Sequence, residues 1–328
     1  MKMTNSLSRR SFLVRGVAAG TSAALARSAF GAAKRVRVRN PKSPAGAAGQ
    51  LWIGGDLQVN RIGFGTGELG GAQSWVEPSD AAARRAVLRR AVDLGVNFID
   101  TADIYGPNVA EQLIHDALYP YPSDLVIASK GGQIRPGALS AGSLDGRPEH
   151  LREACEGSLK RLQLEQIALY QMHWPDPNVP YEDSIGELAK LQREGKIRHI
   201  GVCNVDEALL AKARSVATVV AVENRYNILS TQSDGIIALC EREHIVFIPW
   251  SPLARRGQGN AAAELRLAGL QALAKERHIE MPQAALAWLL ARSAVMLPIP
   301  GTVRVDHLED NIAAAKARFT KKEMAQIG

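Results

Sequence analysis

The stretch Val96–Tyr105 reads VNFIDTADIY and is followed by Gly106. A short apolar run rises here into a carboxylate, Asp100, with the length and composition of a buried strand. Tyr105 falls just past the C-terminal end of that strand, where parallel α/β folds keep their chemistry. A free tyrosine has a pKa of about 10. It therefore donates a proton at neutral pH only with a cation and a hydrogen-bonded network beside it. The rest of the chain has to supply both.

Outward from this run the pattern repeats. Eight apolar runs lie near Ile62–Thr66, Val96–Asp100, Leu125–Ser129, Ile167–His173, Ile197–Val202, Val219–Glu223, Ile245–Trp250 and Val295–Ile299. Helical segments lie between them. Ser79–Leu94 has Ser79 as its cap and Gly95 as its stop; Glu149–Leu162 and Tyr181–Arg193 behave similarly, the latter closing on Glu194-Gly195. An eighth helix is expected over His307–Ala317. Eight strand–helix units in roughly 260 residues predict a (β/α)8 TIM barrel, an α/β fold with eight parallel strands. Ahead of it, Leu51–Ile53, Gly54-Gly55-Asp56 and Leu57–Val59 predict an N-terminal β-hairpin. A doubly wound sheet is the alternative, but no G-x-G-x-x-G follows the first strand.

Of 328 residues, 46% are hydrophobic and 22% charged, the balance of a globular chain. A net charge of +7 raises nucleic acid as a partner, and position argues against it. Residues 1–42 hold ten basic side chains and no acidic one, which leaves 30 basic against 33 acidic beyond them. The basicity belongs to the leader, so nucleic-acid binding is not expected. Ser8-Arg9-Arg10-Ser11-Phe12-Leu13-Val14, followed by small and apolar residues to about Ala33, resembles a twin-arginine export signal. The expected division is a signal peptide over 1–33, a linker over 34–50 and the barrel over 51–328. The expected location is the periplasm, reached through the twin-arginine export machinery, or the cytoplasm if the leader does not function. Arg15, Gly16, Gly20 and Arg27 break the leader too often for a stable membrane span, which needs about 20 apolar residues. Cys155, Cys203 and Cys240 are too scattered for a disulfide framework or a zinc site, and no metal is expected. Cys155 and Cys240 fall in helical patterns and read as small core residues.

In a barrel, polar residues at the C-terminal strand ends converge. Asp100 ends the second run and Tyr105 lies in the loop after it; Lys130 ends the third, LVIASK, and His173 the fourth, IALYQMH. Each alone is commonplace. Together they are the carboxylate, phenol, ammonium and imidazole that acid catalysis at one site needs.

The motifs VNFIDTADIYG, strand-end Lys130, LYQMHWPDP, GKIRHIGVCN, VENRYN, IPWSPLA and IPGT with DHLEDNI run in order over about residues 51–316. They resemble the successive signatures of the aldo-keto reductase superfamily. The resemblance implies a catalytic tetrad of Asp100, Tyr105, Lys130 and His173 acting on a small-molecule carbonyl. A reduced nicotinamide is implied as hydride donor and Tyr105 as proton donor. Lys130 is implied to bond the tyrosine oxygen, to pair with Asp100 and to lower the phenol's pKa, and His173 to orient the carbonyl. The protein is expected to be a monomer.

The same resemblance implies where the dinucleotide lies. Gly65, Thr66 and Asp100 are among the implied cofactor-binding residues, with Cys203, Asn204 and Glu223 on the carboxamide and Trp250 stacked on the ring. Ser251 and Leu253 fall along the pyrophosphate. Gly301, Thr302, Arg304, His307, Asp310 and Asn311 surround the adenosine. Arg304 is the expected partner of a 2′-phosphate, so NADP(H) is favoured over NAD(H). Two positions depart from the family pattern. Cys203 stands for a serine and is a weaker hydrogen-bonding group. Glu223 stands for a glutamine, losing the amide's donor and adding a negative charge near the ring. Trp75 and Trp174 are expected to wall the substrate pocket. The stretches GGDLQVNRIGFGT and GRPEHLREAC look most like a bacterial branch that includes pyridoxal reductases. The alternative function is a cofactor-binding redox-sensing or regulatory subunit with the same fold and slow turnover.

Overall fold

Seven of the eight apolar runs form one parallel sheet in sequence order. The structure is a computed structural model that describes residues 35–71, 78–134, 143–253 and 260–327. The expected leader and Trp75 lie outside the described residues. An antiparallel hairpin of β1 (Gln50–Ile53) and β2 (Leu57–Asn60) comes first. The barrel strands are β3 (Phe64–Gly65), β4 (Phe98–Asp100), β5 (Val126–Gly131), β6 (Ile167–Met172), β7 (Ile197–Cys203), β8 (Val219–Arg225) and β9 (Val246–Trp250). The eighth run, Val295–Ile299, joins the two edges without becoming a strand. Phe247 N donates to Val295 O and Leu297 N to Phe247 O, both at 2.9 Å, while Gly63 N donates to Pro298 O at 3.0 Å. Pro298 and Pro300 have no N–H to return, so the ladder stops at single bridges and the barrel is nearly closed.

The helices follow the strands. They are α1 (Ala81–Asp93), α2 (Val109–Leu118), α3 (Pro148–Leu162), α4 (Tyr181–Arg193), α5 (Glu207–Val216) and α6 (Asp234–Glu243). Two helices, α7 (Ala261–Arg277) and α8 (Met281–Arg292), separate β9 from the closing run, and α9 (Val305–Ala313) and α10 (Lys321–Ile327) come after it. The eighth predicted helix is thus α9, ending in a short 3-10 turn, Ala314–Lys316. Ser79 does not cap α1. Asp80 precedes its first turn, and the Asp80 carboxylate takes Arg84 Nε at 2.7 Å instead of a backbone N–H. Gly95 does end the first strand–helix turn, at φ +89, and a Cβ there would meet Ser43 Oγ at 2.0 Å.

That contact corrects the reading of residues 34–50. Ser43, Ala45 and Ala48 are buried, Val36 bridges to Leu57, and Arg39 N donates to the Asp124 carboxylate at 2.8 Å. From residue 35 this segment is packed on the barrel domain, because its small residues fit where a longer side chain would be refused.

Strand alternation then decides which residues face inward. Phe98, Val126, Ala128, Leu169, Val246 and Ile248 form an inner core with Ile53, Leu57 and Val59 of the hairpin. The hairpin residues meet strand starts, so the hairpin plugs the N-terminal end of the barrel. Ile99, Ile127, Tyr170, Ile200, Val222 and Phe247 point outward to the helices. Continuing the inner rows by two residues gives Asp100 after Phe98, Lys130 after Ala128 and Gln171 after Leu169. The pleat that builds the apolar floor therefore places charge in the upper barrel.

Candidate active site

The C-terminal half of the barrel holds a buried charged cluster. Lys130, fully buried, pairs with Asp100 Oδ2, donates to Thr101 O at 3.1 Å and lies 3.4 Å from Glu223 Oε2. Gln171 Nε2 donates to Glu223 Oε2 at 2.7 Å and to Asp100 Oδ1 at 3.4 Å, joining the two carboxylates. The Cys203 thiol faces the same Glu223 oxygen at 3.9 Å. Gln171 was not singled out from the sequence. Its signal was there: it lies two residues before His173, so the pleat puts both on one face.

Tyr105 caps this cluster. Its ring meets the His173 ring edge-on, with centroids 5.9 Å apart at 82°, and Lys130 Nζ lies 5.3 Å from its ring centre. The expected Lys130 bond to the tyrosine oxygen is not formed. The ammonium has three donors, and Asp100, Thr101 and Glu223 occupy its surroundings. Burial pushes the phenol up, Lys130 pulls it down, and Asp100 and Glu223 push it up again. In the protein alone the net direction is upward, so the lowering by Lys130 is outweighed first by burial and then by the two carboxylates. Burial and the Lys130 charge hold His173 well below the usual imidazole range, and its buried Nδ1 has no protein partner. His173 is therefore neutral, with one ring nitrogen left without a protein partner. Burial and Glu223 raise the Asp100 carboxyl well above its ordinary value against the pull of Lys130.

A cavity of about 540 Å³ opens beside the cluster between the ends of β3, β8 and β9, the closing run and α9. Of the expected cofactor residues, Gly65, Asp100, Glu223, Trp250, Ser251, Leu253, Gly301, Thr302, His307, Asp310 and Asn311 line it, together with Tyr105. Glu68, Pro252 and Pro282 also line it and were not anticipated. Gly65 and Gly301 face each other so closely that a Cβ on Gly301 would lie 2.6 Å from Gly65 O.

Four expected residues are placed otherwise. Thr66 is buried, and its hydroxyl donates to Asp100 O at 3.0 Å, which ties β3 to β4 instead of lining the cavity. Cys203 lies behind Glu223. Asn204, at φ +58, donates to His173 O at 3.0 Å and accepts from Trp250 Nε1 at 2.9 Å, so it braces the ends of three strands. Arg304 is exposed outside the cavity lining, its guanidinium forked onto Asp306. Trp174 is half-buried beside His173. Cys155 and Cys240 are buried in α3 and α6, as core residues. Among the described residues no group of His, Cys, Asp or Glu could hold a metal ion, and no helix is long and apolar enough to cross a membrane.

A model of the aldo/keto reductase family matches residues 61–328. The chain belongs to that family. An uncharacterised oxidoreductase of Schizosaccharomyces pombe is 41% identical over 283 residues, covering 86% of the reductase and 90% of that protein. Pyridoxine 4-dehydrogenase of Escherichia coli is 36% identical over 279 residues, covering 83% and 95%. The crystal structure of an aldo/keto reductase from Klebsiella pneumoniae in complex with NADP and acetate superposes with a TM-score of 0.71 at 26% identity, covering 85% of the reductase and 93% of that chain. The barrel fold is thus shared with that solved structure.

Proposed function

We propose that this chain is an NADP(H)-dependent oxidoreductase that interconverts a carbonyl and its alcohol. The observation that carries the reading is the placement of Tyr105 between Lys130 and His173 at the wall of a cavity lined by the expected dinucleotide residues. A dinucleotide fits the donor set. The Trp250 indole and the close Gly65–Gly301 pair offer a flat wall and bare backbone, and Ser251, Thr302, His307 and Asn311 bring polar groups to the same lining. When bound, the reduced nicotinamide supplies the hydride for the carbonyl carbon. Tyr105 gives its proton to the carbonyl oxygen as negative charge develops there. Lys130 stabilises that charge and the phenolate left behind. Neutral His173 holds the carbonyl oxygen by a hydrogen bond, and Asp100 keeps Lys130 in place. The bound NADP of the Klebsiella relative supports the cofactor, and the name of the E. coli relative supports a pyridine-type aldehyde as the first substrate to try. NADPH consumption over a panel of small aldehydes and ketones, pyridoxal among them, tests the reading. No turnover with any of them favours instead the regulatory reading, which the unusual Glu223 supports.

NADP is preferred to NAD in this reading because Arg304 stands one residue before α9, beside the cavity residues Thr302 and His307. Its fork onto Asp306 must open to take a 2′-phosphate. Arg304→Ala is expected to weaken NADPH about tenfold, the scale of one charge-assisted contact, and to leave NADH unchanged in a fluorescence titration. An equal loss for both nucleotides would refute the assignment.

Export through the twin-arginine route is part of the proposal, carried by Ser8–Val14 and the run of small residues after it. Because that route moves folded proteins, the reductase would leave with its nucleotide bound. Changing Arg9 and Arg10 together to lysine is expected to retain the protein in the cytoplasm. Cell fractionation reads the outcome, and unchanged localisation would remove export from the proposal.

A further inference from the structure

We propose that Glu223 makes this site selective for the oxidised, cationic form of the nicotinamide, so that the protein works in the direction of alcohol oxidation. The inference rests on the functional reading above and deepens it. Its basis is a count of charges in one buried place. Two carboxylates, Asp100 and Glu223, are 1% and 2% exposed and share a single ammonium, Lys130. Gln171 bridges the two carboxylates but brings no charge. The acidic groups outnumber the basic one, and both carboxylates line the cavity alongside Trp250. Two buried carboxylates on one ammonium are relieved either by a proton, the tendency that raises the Asp100 carboxyl, or by an incoming cation, which lets both stay ionised. Lys130 is already held by both carboxylates and by Thr101 O, and the next cation along β8, Arg225, lies 5.8 Å from the Trp250 ring centre instead of pairing with Glu223 in the cluster. His173 cannot serve, being neutral and next to Lys130.

The ring that enters the cavity differs between its redox forms by one charge. The oxidised ring is a cation and the reduced ring is neutral. A fixed carboxylate at the wall attracts the first and is indifferent to the second. Alcohol oxidation then balances as follows. The carbinol carbon loses a hydride, two electrons and one proton, to the oxidised ring. The hydroxyl proton leaves through Tyr105 to solvent, giving a carbonyl, NADPH and one released proton. No further oxidant is required.

The test is a pair of equilibrium titrations on the full chain, with NADP+ and NADPH separately, read by intrinsic tryptophan fluorescence. Wild-type protein is expected to bind NADP+ at least as tightly as NADPH. Glu223→Gln keeps the shape and the bridge to Gln171, removes the charge, and is expected to shift the ratio of the two affinities about tenfold toward NADPH. That shift corresponds to about 30 mV in the potential of the bound two-electron couple. Glu223→Asp, which keeps the charge, is expected to retain most of the wild-type ratio, and it serves where the glutamine variant does not fold. An unchanged ratio in Glu223→Gln, an equal weakening of both nucleotides, or the same shift in Glu223→Asp as in Glu223→Gln would each overturn the inference while leaving the functional reading intact. Wild-type protein that binds neither nucleotide overturns both.

Discussion

Tyr105→Phe is expected to lower kcat for carbonyl reduction by about 10²- to 10⁴-fold, the range of a positioned proton donor. The ring stays, with its edge-on contact to His173 and its place over Lys130, because neither depends on the hydroxyl. NADPH affinity is therefore expected to change less than twofold. Removing a group that acts only in the transition state lowers kcat and kcat/KM together. Stopped-flow and steady-state NADPH consumption read the first quantity, and fluorescence titration the second. A phenylalanine variant with full activity would show that another group supplies the proton. His173 is then the nearest candidate, since its buried Nδ1 is unpaired.

Lys130→Met is the second large effect, and it falls on stability as well as on turnover. The methionine fills a similar volume but leaves Asp100 and Glu223 facing each other without an ammonium. Breaking a buried ion pair by removing one partner costs roughly 3–5 kcal/mol, a large share of the stability of an ordinary domain. The loss is expected to depend on pH. Burial and Glu223 already raise the Asp100 carboxyl above the ordinary carboxylate range, against Lys130, and losing Lys130 raises it further. An acid raised in the folded state is stabilising below its unfolded pKa, about 3.9. That contribution is lost as pH rises, because the unfolded chain ionises more readily. The deficit against wild type should therefore be smallest near pH 5 and largest near pH 8. Urea unfolding at the two values measures it. Equal deficits at both would mean that the cost is one of packing, not of charge.

Much of the fold was legible because its signals are local. The barrel strands fall in apolar-rich runs of five to seven residues set between helical segments, and eight such runs in sequence order leave few closures open. The departures are also local, but they depend on neighbours. The last run does not ladder because Pro298 and Pro300 alternate with the residues that would donate. Residues 35–49 carry no periodic pattern, yet Ser43 and Ala45 are held by the space that Gly95 leaves and by the carbonyl of Leu94. Ser79 has the chemistry of a cap and sits one residue too early for it.

The site divides along the same line. By itself the sequence determined that Asp100, Lys130 and His173 end successive strands and that Tyr105 follows the first of them. The two-residue pleat allows inner-facing residues at strand ends only one place to go. Glu223 was visible only as a substitution for an expected glutamine. Its consequence required the tertiary structure, because the 3.4 Å approach to Lys130 joins β8 to β5 across the barrel. That contact turns an ion pair into a cluster of two carboxylates on one ammonium, in which the Asp100 carboxyl is raised. Charge interactions in a buried site depend on distance and on exclusion of water, and neither is a property of residues taken in order along a chain.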